Sequence, residues 1–94
     1  MTGSIDAYDS VWDVLTNTPE QAANLRARSE LMGQIAQLVT DGGWTHAEAA
    51  EHCCVTQPRI IDLLRGRVSR FSIDALVNIA TALGRTVHIK LQAT

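Results

Sequence analysis

Residues 45–66 constrain the fold of this 94-residue chain more than any other stretch. They open with Thr45-His46-Ala47-Glu48, a capping box in which the threonine and glutamate side chains each accept a hydrogen bond from the other residue's backbone N–H group. This box predicts a short helix over about 46–53, whose small inward residues let another helix approach closely. Thr56 then caps a second helix, predicted from 57 to about 65, which ends at Gly66. The stretch therefore predicts two short helices that cross at a three-residue turn.

Start and stop signals also frame one helix on each side of this pair. Thr18, Pro19 and Gln21 predict a helix over about 19–40, which Gly42-Gly43 ends. Ser72 caps a helix predicted over 73–83, which Gly84 ends. Residues at helical spacing are expected to face one shared core. They are Leu25, Arg28, Met32, Ile35 and Val39, then Ile60, Leu63 and Leu64, and finally Ile73, Leu76, Val77, Ala80 and Leu83.

The segment after Gly84 follows a different period. Val87, Ile89 and Leu91 alternate with polar residues, which predicts a half-buried β-strand. A single strand leaves a row of backbone donors and acceptors unpaired. We therefore expect this strand to pair outside the chain, either with the same strand of a second copy across a two-fold axis or with the sheet edge of a partner protein.

The chain is predicted to be a single domain over residues 1–94. It comprises an acidic N-terminal arm (1–18), a helical body (19–84) and the C-terminal strand (85–94). Apolar residues in the arm recur at spacings of three and four, which predicts a short amphipathic helix. Its apolar face either packs on the body or is offered to another protein. The candidate partner-binding residues on this face are Tyr8, Trp12 and Leu15.

Charge is divided unevenly along the chain, although the formal net charge is only −2. Residues 1–51 contain two arginines and eight acidic residues, whereas residues 52–94 contain six basic and two acidic residues. An acidic half joined to a basic half indicates two partners of opposite charge.

We expect no membrane association, because no apolar run approaches the roughly 18–20 residues of a membrane span. With no secretory signal and only two adjacent cysteines, we expect a cytoplasmic protein.

A capped helix, a tight turn and a second capped helix are the layout of a DNA-binding helix-turn-helix. The segments THAEAA (45–50), VTQPRI (55–60) and LLRG (63–66) resemble the Xre/Cro-type helix-turn-helix family, and the flanks RARSEL (26–31) and FSIDAL (71–76) resemble the HigA-like antitoxins within it. The resemblance covers about residues 19–91. It implies an all-α, five-helix repressor-like domain that dimerises, binds an operator and neutralises a RelE/HigB-like ribonuclease toxin.

Two positions depart from the family pattern. Cys54 stands at the turn position that glycine usually holds, where a positive φ is costly for a residue with a side chain. His46 stands where glutamine is common, which weakens the transfer of a phosphate contact to that side chain.

The helix at 57–65 is the one expected to enter the major groove by its N-terminal end. Gln57 can pair with adenine and Arg59 with guanine, each discriminating by about 1–3 kcal/mol, and Pro58 can meet a thymine methyl group. Phosphate contacts are expected from helix N-termini and from nearby arginines. The residues predicted to make them are Thr45, Thr56, Arg65, Arg67 and Arg70.

These residues also have structural interpretations. Thr56 and Gln57 can be capping residues, Arg65 can neutralise the C-terminal end of its own helix, and Arg67 and Arg70 can be solvated charges. Asp62 repels phosphate and is interpreted as orienting Arg59 or Arg65, three residues away on the helix.

The sequence contains no recognisable catalytic or metal-binding motif. No nucleophile, base and orienting acid stand together, and no glycine-rich phosphate loop occurs. His52-Cys53-Cys54 has no second cluster at zinc-ligand spacing. We therefore expect no enzymatic activity, no cofactor and no metal site.

The expected function is that of a homodimeric transcriptional repressor on an inverted-repeat operator, with half-sites about 10–10.5 bp apart. We further expect an antitoxin that represses its own operon and binds a basic toxin through its acidic first half. Two alternatives stay open. One is a stand-alone Xre-type regulator without a toxin, and the other is a protein-interaction module that no longer binds DNA.

Overall fold

The computed structural model describes residues 18–93 of the chain. Within this range it contains four α-helices and one turn of 3-10 helix. In chain order these are α1 (Pro19–Asp41), α2 (His46–Cys53), α3 (Gln57–Leu64), the 3-10 turn (Val68–Arg70) and α4 (Ile73–Ala82). The helices predicted over this range are confirmed, with no end shifted by more than one residue. The predictions for Tyr8, Trp12 and Leu15 fall outside the described residues.

Side-chain caps explain where three of these helices begin. The hydroxyl groups of Thr18 and Ser72 each accept a hydrogen bond from a backbone N–H group in the first turn of α1 and α4, at 3.1 and 3.0 Å. The capping box of α2 is confirmed: the Glu48 N–H donates to Thr45 Oγ1 at 3.1 Å, and the Thr45 N–H donates to Glu48 Oε1 at 2.9 Å. These bonds satisfy donors that a helix N-terminus leaves without an intrahelical partner.

The beginning of α3 differs from the other three. Thr56 occupies the predicted N-cap position, but its hydroxyl makes no capping hydrogen bond, so the side-chain cap predicted for it is wrong. As at the other three helices, the carbonyl of the N-cap residue accepts backbone bonds: the N–H groups of Arg59 and Ile60 donate to Thr56, at 3.1 and 3.2 Å. Pro58 has no N–H group that needs a partner. The first turn of α3 is therefore closed by backbone bonds alone.

The turn between α2 and α3 depends on a left-handed residue. Cys54 has φ 59° and ψ 41°, the conformation expected at this position. It lets the Val55 N–H reach back to the Ala50 carbonyl at 3.0 Å, which closes the C-terminus of α2. A left-handed conformation costs an L-residue roughly 1–2 kcal/mol, so Cys54 is a strained position.

One hydrophobic core joins the four helices. α2 packs against α3, while α1 packs against α4 and the 3-10 turn. The buried residues are Met32, Ile35, Val39, Ala49, Ala50, Cys53, Ile60, Leu63, Val68, Phe71, Leu76, Ile79 and Ala80. Leu64 is 38% exposed, so its predicted inward position is wrong. Ile60 and Leu63 already occupy the buried side of this short helix, and Leu64 lies at its edge.

Residues 85–93 contain neither helix nor strand, so the predicted C-terminal strand is not formed within the described chain. Val87 is half-buried against the core, whereas Ile89 and Leu91 are 76% and 97% exposed. The physical reason is that a strand exists only when a second strand supplies hydrogen-bond partners. Pairing outside the chain stays a prediction.

The expectation of five helices is corrected to four α-helices for residues 18–93. Between α3 and α4 there is room for only a single 3-10 turn, because Gly66 is left-handed (φ 71°) and Phe71 is extended (φ −130°, ψ 133°). No helix in the described range is long and apolar enough to cross a membrane.

Candidate nucleic-acid interface

The N-terminal end of α3 is exposed, while its opposite side is buried in the core. Thr56, Gln57 and Pro58 are all exposed, whereas Ile60 and Leu63 are fully buried. The Gln57 amide makes no hydrogen bond with the described residues. An amide offers a donor and an acceptor side by side, which is what the major-groove edge of adenine pairs with.

Arg59, the next residue of α3, packs on the connector, which we define as residues 67–71. Its guanidinium carbon lies 4.0 Å from the centre of the Phe71 ring, and its Nη1 donates to the Arg70 carbonyl at 2.7 Å. Stacking on a buried ring and a hydrogen bond together hold the planar group in one orientation. The side chain predicted to contact guanine is therefore placed beside the connector.

Asp62 is a buried charged residue on α3, only 9% exposed. Its Oδ1 accepts hydrogen bonds from Nη1 of Arg67 and from Nη1 of Arg70, both at 3.0 Å. The interpretation that Asp62 orients Arg59 or Arg65 is wrong, because the chain turns at Gly66 and brings the connector back beside α3. Arg67 and Arg70 are correspondingly paired side chains rather than freely solvated charges.

Arg28 of α1 holds the connector from the other side. Its Nη1 donates to the carbonyls of Phe71 and Val68, at 3.2 and 3.4 Å, and its Nε donates to Asn24 Oδ1 at 2.7 Å. The predicted inward position of Arg28 is consistent with this role. The connector is thus fixed by an arginine from α1 and an aspartate from α3.

The remaining predicted contact residues lie at the surface. Thr45 and His46 are exposed at the start of α2, and Arg65 is exposed without an ion pair to the described residues. Residues 56–71 contain four arginines and one aspartate, a formal charge of +3. The candidate interface therefore consists of two neighbouring sets of residues. The exposed residues Thr56, Gln57 and Pro58 form the N-terminal end of α3, and the arginines lie around the connector.

Sequence reasoning did not find the contacts of two residues that organise this surface. Phe71 is the one phenylalanine of the chain, and it ends the mostly polar connector, which is a signal that the connector is anchored there. Asp62 stands among apolar residues in the run IIDLL (60–64), which is a signal of a buried acid. Neither signal identifies the arginines that pair with each residue, since those contacts arise only when the chain turns back at Gly66.

A groove of about 780 Å³ lies apart from α3, between α1, α4 and residues 85–92. Apolar residues Leu31, Ile35 and Leu38 of α1 line one wall, and Ile89 and Leu91 line another. Arg85 and Lys90 also line it, as does Glu30 of α1. The groove is therefore lined by both apolar and charged side chains.

The thiols next to the turn differ in environment. Burial, with a smaller contribution from neighbouring Cys54, raises the pKa of the Cys53 thiol. Cys54 is exposed. In the part of the chain that the structure describes, no group of three or more His, Cys, Asp or Glu side chains could hold a metal ion.

Comparison with protein families gives one finding on this architecture. A family model described as a helix-turn-helix domain matches residues 14–92, most of the chain. A search of curated proteins gives no match. The matched range contains α1 to α4 and the connector.

Proposed function

The chain belongs to the helix-turn-helix domain family, and we propose that it is a sequence-specific transcriptional repressor that binds double-stranded DNA through α3. A domain of this family indicates a DNA-binding regulator. The observation that carries the proposal is the exposed N-terminal end of α3 within a segment, residues 56–71, of formal charge +3. Such a helix enters the major groove with its N-terminal residues against the base edges.

Base reading falls to the residues at this end. The Gln57 amide pairs with adenine, and the apolar ring of Pro58 contacts a thymine methyl group. The N-termini of α2 and α3, with the hydroxyl groups of Thr45 and Thr56, bind phosphates. Arg65, Arg67 and Arg70 contribute positive charge along the DNA backbone, and Arg59 does so from its position over Phe71.

Fluorescence anisotropy with the DNA upstream of the protein's own coding sequence tests the proposal. The measurement is made near physiological salt, and a shuffled duplex of the same composition is the control. We expect the upstream duplex to bind tighter by about 10³-fold or more. Equal, weak binding to both duplexes that falls steeply with added salt contradicts repression, because only nonspecific phosphate attraction then exists.

The variant Gln57→Ala tests α3 as the reading helix. It removes an amide that has no partner among the described residues, so folding is unaffected while discrimination at one base position falls by about 1–3 kcal/mol. Asn78→Ala is the matched control, because Asn78 is an exposed amide on α4. A module that binds only proteins shows no change in DNA binding with either variant.

We also propose that the repressor is a homodimer that joins through residues 87–91. Exposed Ile89 and Leu91, beside the apolar wall of the groove, support this proposal. A second copy supplies an antiparallel strand across a two-fold axis, and the two α3 helices then meet half-sites about 10–10.5 bp apart in an inverted repeat.

Sedimentation of Leu91→Lys against Gln92→Lys tests whether the dimer forms through this segment. We expect only Leu91→Lys to dissociate the dimer, and a monomeric native protein contradicts the proposal.

We propose further that the protein is the antitoxin of a toxin–antitoxin pair and neutralises a basic ribonuclease. The flanks at 26–31 and 71–76, and the eight acidic residues in 1–51, support this assignment. The test is binding of the protein encoded beside it, with native chain against Tyr8→Ala/Trp12→Ala/Leu15→Ala. We expect weaker toxin binding with DNA binding intact. If no basic neighbour of about 100 residues is encoded, the stand-alone regulator is favoured.

The proposed function contains no catalytic step and needs no cofactor. Repression follows from occupancy of the operator, and neutralisation follows from contact with the toxin.

A further inference from the structure

This inference rests on the proposed function and concerns Asp62, whose negative charge is unfavourable near DNA. It is an acidic residue on the helix that approaches DNA, where a carboxylate repels phosphate. It is also 9% exposed, and burying a carboxylate is costly unless it is paired. Its two arginine partners offset part of that cost, and they are residues of the candidate interface.

Both hydrogen bonds go to the same carboxylate oxygen, Oδ1. Arg67 is held a second time, because its backbone N–H donates to the Asp62 carbonyl at 3.0 Å. Asp62 therefore fixes both the main chain and the side chain at the start of the connector. Its bond to Arg70 fixes the other end.

Arg70 is also bonded to Arg59, through its backbone. The Arg70 carbonyl accepts the hydrogen bond of Arg59 at 2.7 Å. The Arg70 side chain is 56% exposed, whereas that of Arg67 is 26% exposed. Arg70 is therefore anchored by one guanidinium nitrogen while much of its side chain faces solvent beside α3. A guanidinium has further N–H donors that a phosphate can accept.

We infer that Asp62 is a positioning residue for DNA binding: it holds Arg70 in the orientation from which Arg70 binds a phosphate next to the groove that α3 enters. The positioning role and the negative charge of Asp62 predict opposite changes in DNA affinity when the carboxylate is removed. Removing a negative charge near DNA strengthens binding to every duplex, whereas loss of positioning weakens binding to the operator.

The variant Asp62→Asn separates these effects, with Asp74→Asn, an exposed acid on α4, as the charge control. The protein's own upstream duplex and a shuffled duplex are titrated by anisotropy over a range of salt concentrations. We expect Asp62→Asn to weaken upstream binding about tenfold and to lower the salt slope by about 0.9, the loss of one phosphate contact. Affinity for the upstream duplex that is unchanged or tighter overturns the inference.

A double-mutant cycle tests whether Asp62 acts through Arg70. Arg70→Ala alone is expected to lower affinity and salt slope by similar amounts, and Asp62→Asn is expected to cost less affinity in the Arg70→Ala background than in the native chain. Additive losses overturn the inference. Circular dichroism checks that Asp62→Asn folds. If this variant does not fold, Arg70→Ala alone is the test, and an unchanged affinity of Arg70→Ala for the upstream duplex overturns the inference. If the native protein shows no preference for the upstream duplex, the proposed function itself fails.

Discussion

The guanidinium carbon of Arg59 lies 4.0 Å from the centre of the buried Phe71 ring. This contact joins the third residue of α3 to the end of the connector, and the 2.7 Å hydrogen bond from Arg59 to the Arg70 carbonyl reinforces it. Asp62 and Arg28 hold the same connector through separate bonds. The position of α3 therefore depends on polar contacts with residues 67–71 as well as on its buried apolar side.

The variant Arg59→Ala is expected to lower the free energy of unfolding by about 1–2 kcal/mol. It removes both the stacking contact with Phe71 and the hydrogen bond to Arg70. Arg65→Ala is the matched control, since Arg65 is exposed without a partner among the described residues, and a change within about 0.5 kcal/mol is expected. Urea denaturation followed by circular dichroism measures both. Equal stability of the two variants would show that the Phe71 contact contributes nothing.

The two threonines that precede α2 and α3 are expected to differ in their contribution to stability. Thr45→Ala removes a side-chain cap and is expected to destabilise the fold by about 1 kcal/mol. Thr56→Ala removes a hydroxyl that makes no capping bond, and a change of less than about 0.5 kcal/mol is expected. Thermal unfolding of both variants provides the measurement. A Thr56→Ala loss as large as that of Thr45→Ala would contradict the observed difference between the caps.

The helices could be predicted because their signals are local. Thr45 and Glu48, three residues apart, mark the start of α2, and Gly66 lies just beyond the end of α3. The contacts of Asp62 with Arg67 and Arg70 could not be predicted in the same way, because they depend on the direction in which the chain leaves Gly66. Spacing along one helix suggested Arg59 or Arg65 as the partner, but the actual partners lie beyond the helix end.

The exposed residues at the start of α3 could also be predicted from the sequence, whereas the position of Arg59 could not. Thr56, Gln57 and Pro58 follow from the start of α3, and the structure places them together at its exposed end. The place of Arg59 over Phe71 depends on burial of an aromatic residue twelve positions later, which local pattern does not reveal. The tail at 87–91 shows the opposite limit, since its alternation predicted a strand and the described residues 85–93 form none.

Replacing Cys54 by glycine is expected to stabilise the protein by about 1 kcal/mol. The backbone at Cys54 has φ 59°, which glycine adopts without the steric cost of a Cβ atom. Cys54→Ala is the control, because alanine removes the thiol but keeps the Cβ atom and therefore the strain. The midpoint of urea denaturation distinguishes them. A gain with alanine as large as that with glycine would assign the effect to the thiol instead of the backbone.

The two neighbouring thiols are expected to react at very different rates with iodoacetamide. Only a thiolate attacks this reagent, and burial followed by the influence of Cys54 raises the pKa of the Cys53 thiol, so the folded state keeps Cys53 protonated as well as covered. Cys54 is exposed and is expected to be labelled in the native protein. Peptide mass spectrometry after timed labelling identifies the modified residue.

The same raised pKa predicts how stability changes with pH. The thiol of Cys53 ionises more readily in the unfolded chain than in the folded chain. The neutral thiol therefore contributes fully to the free energy of unfolding below the ordinary thiol pKa, and this contribution is lost as the pH rises through the raised pKa of the folded state. In a Cys54→Ala background, Cys53 labelling in native buffer should stay slow until the pH is alkaline and become fast in urea. Rapid labelling of native Cys53 at neutral pH would mean that the interior beneath the α2–α3 turn opens readily.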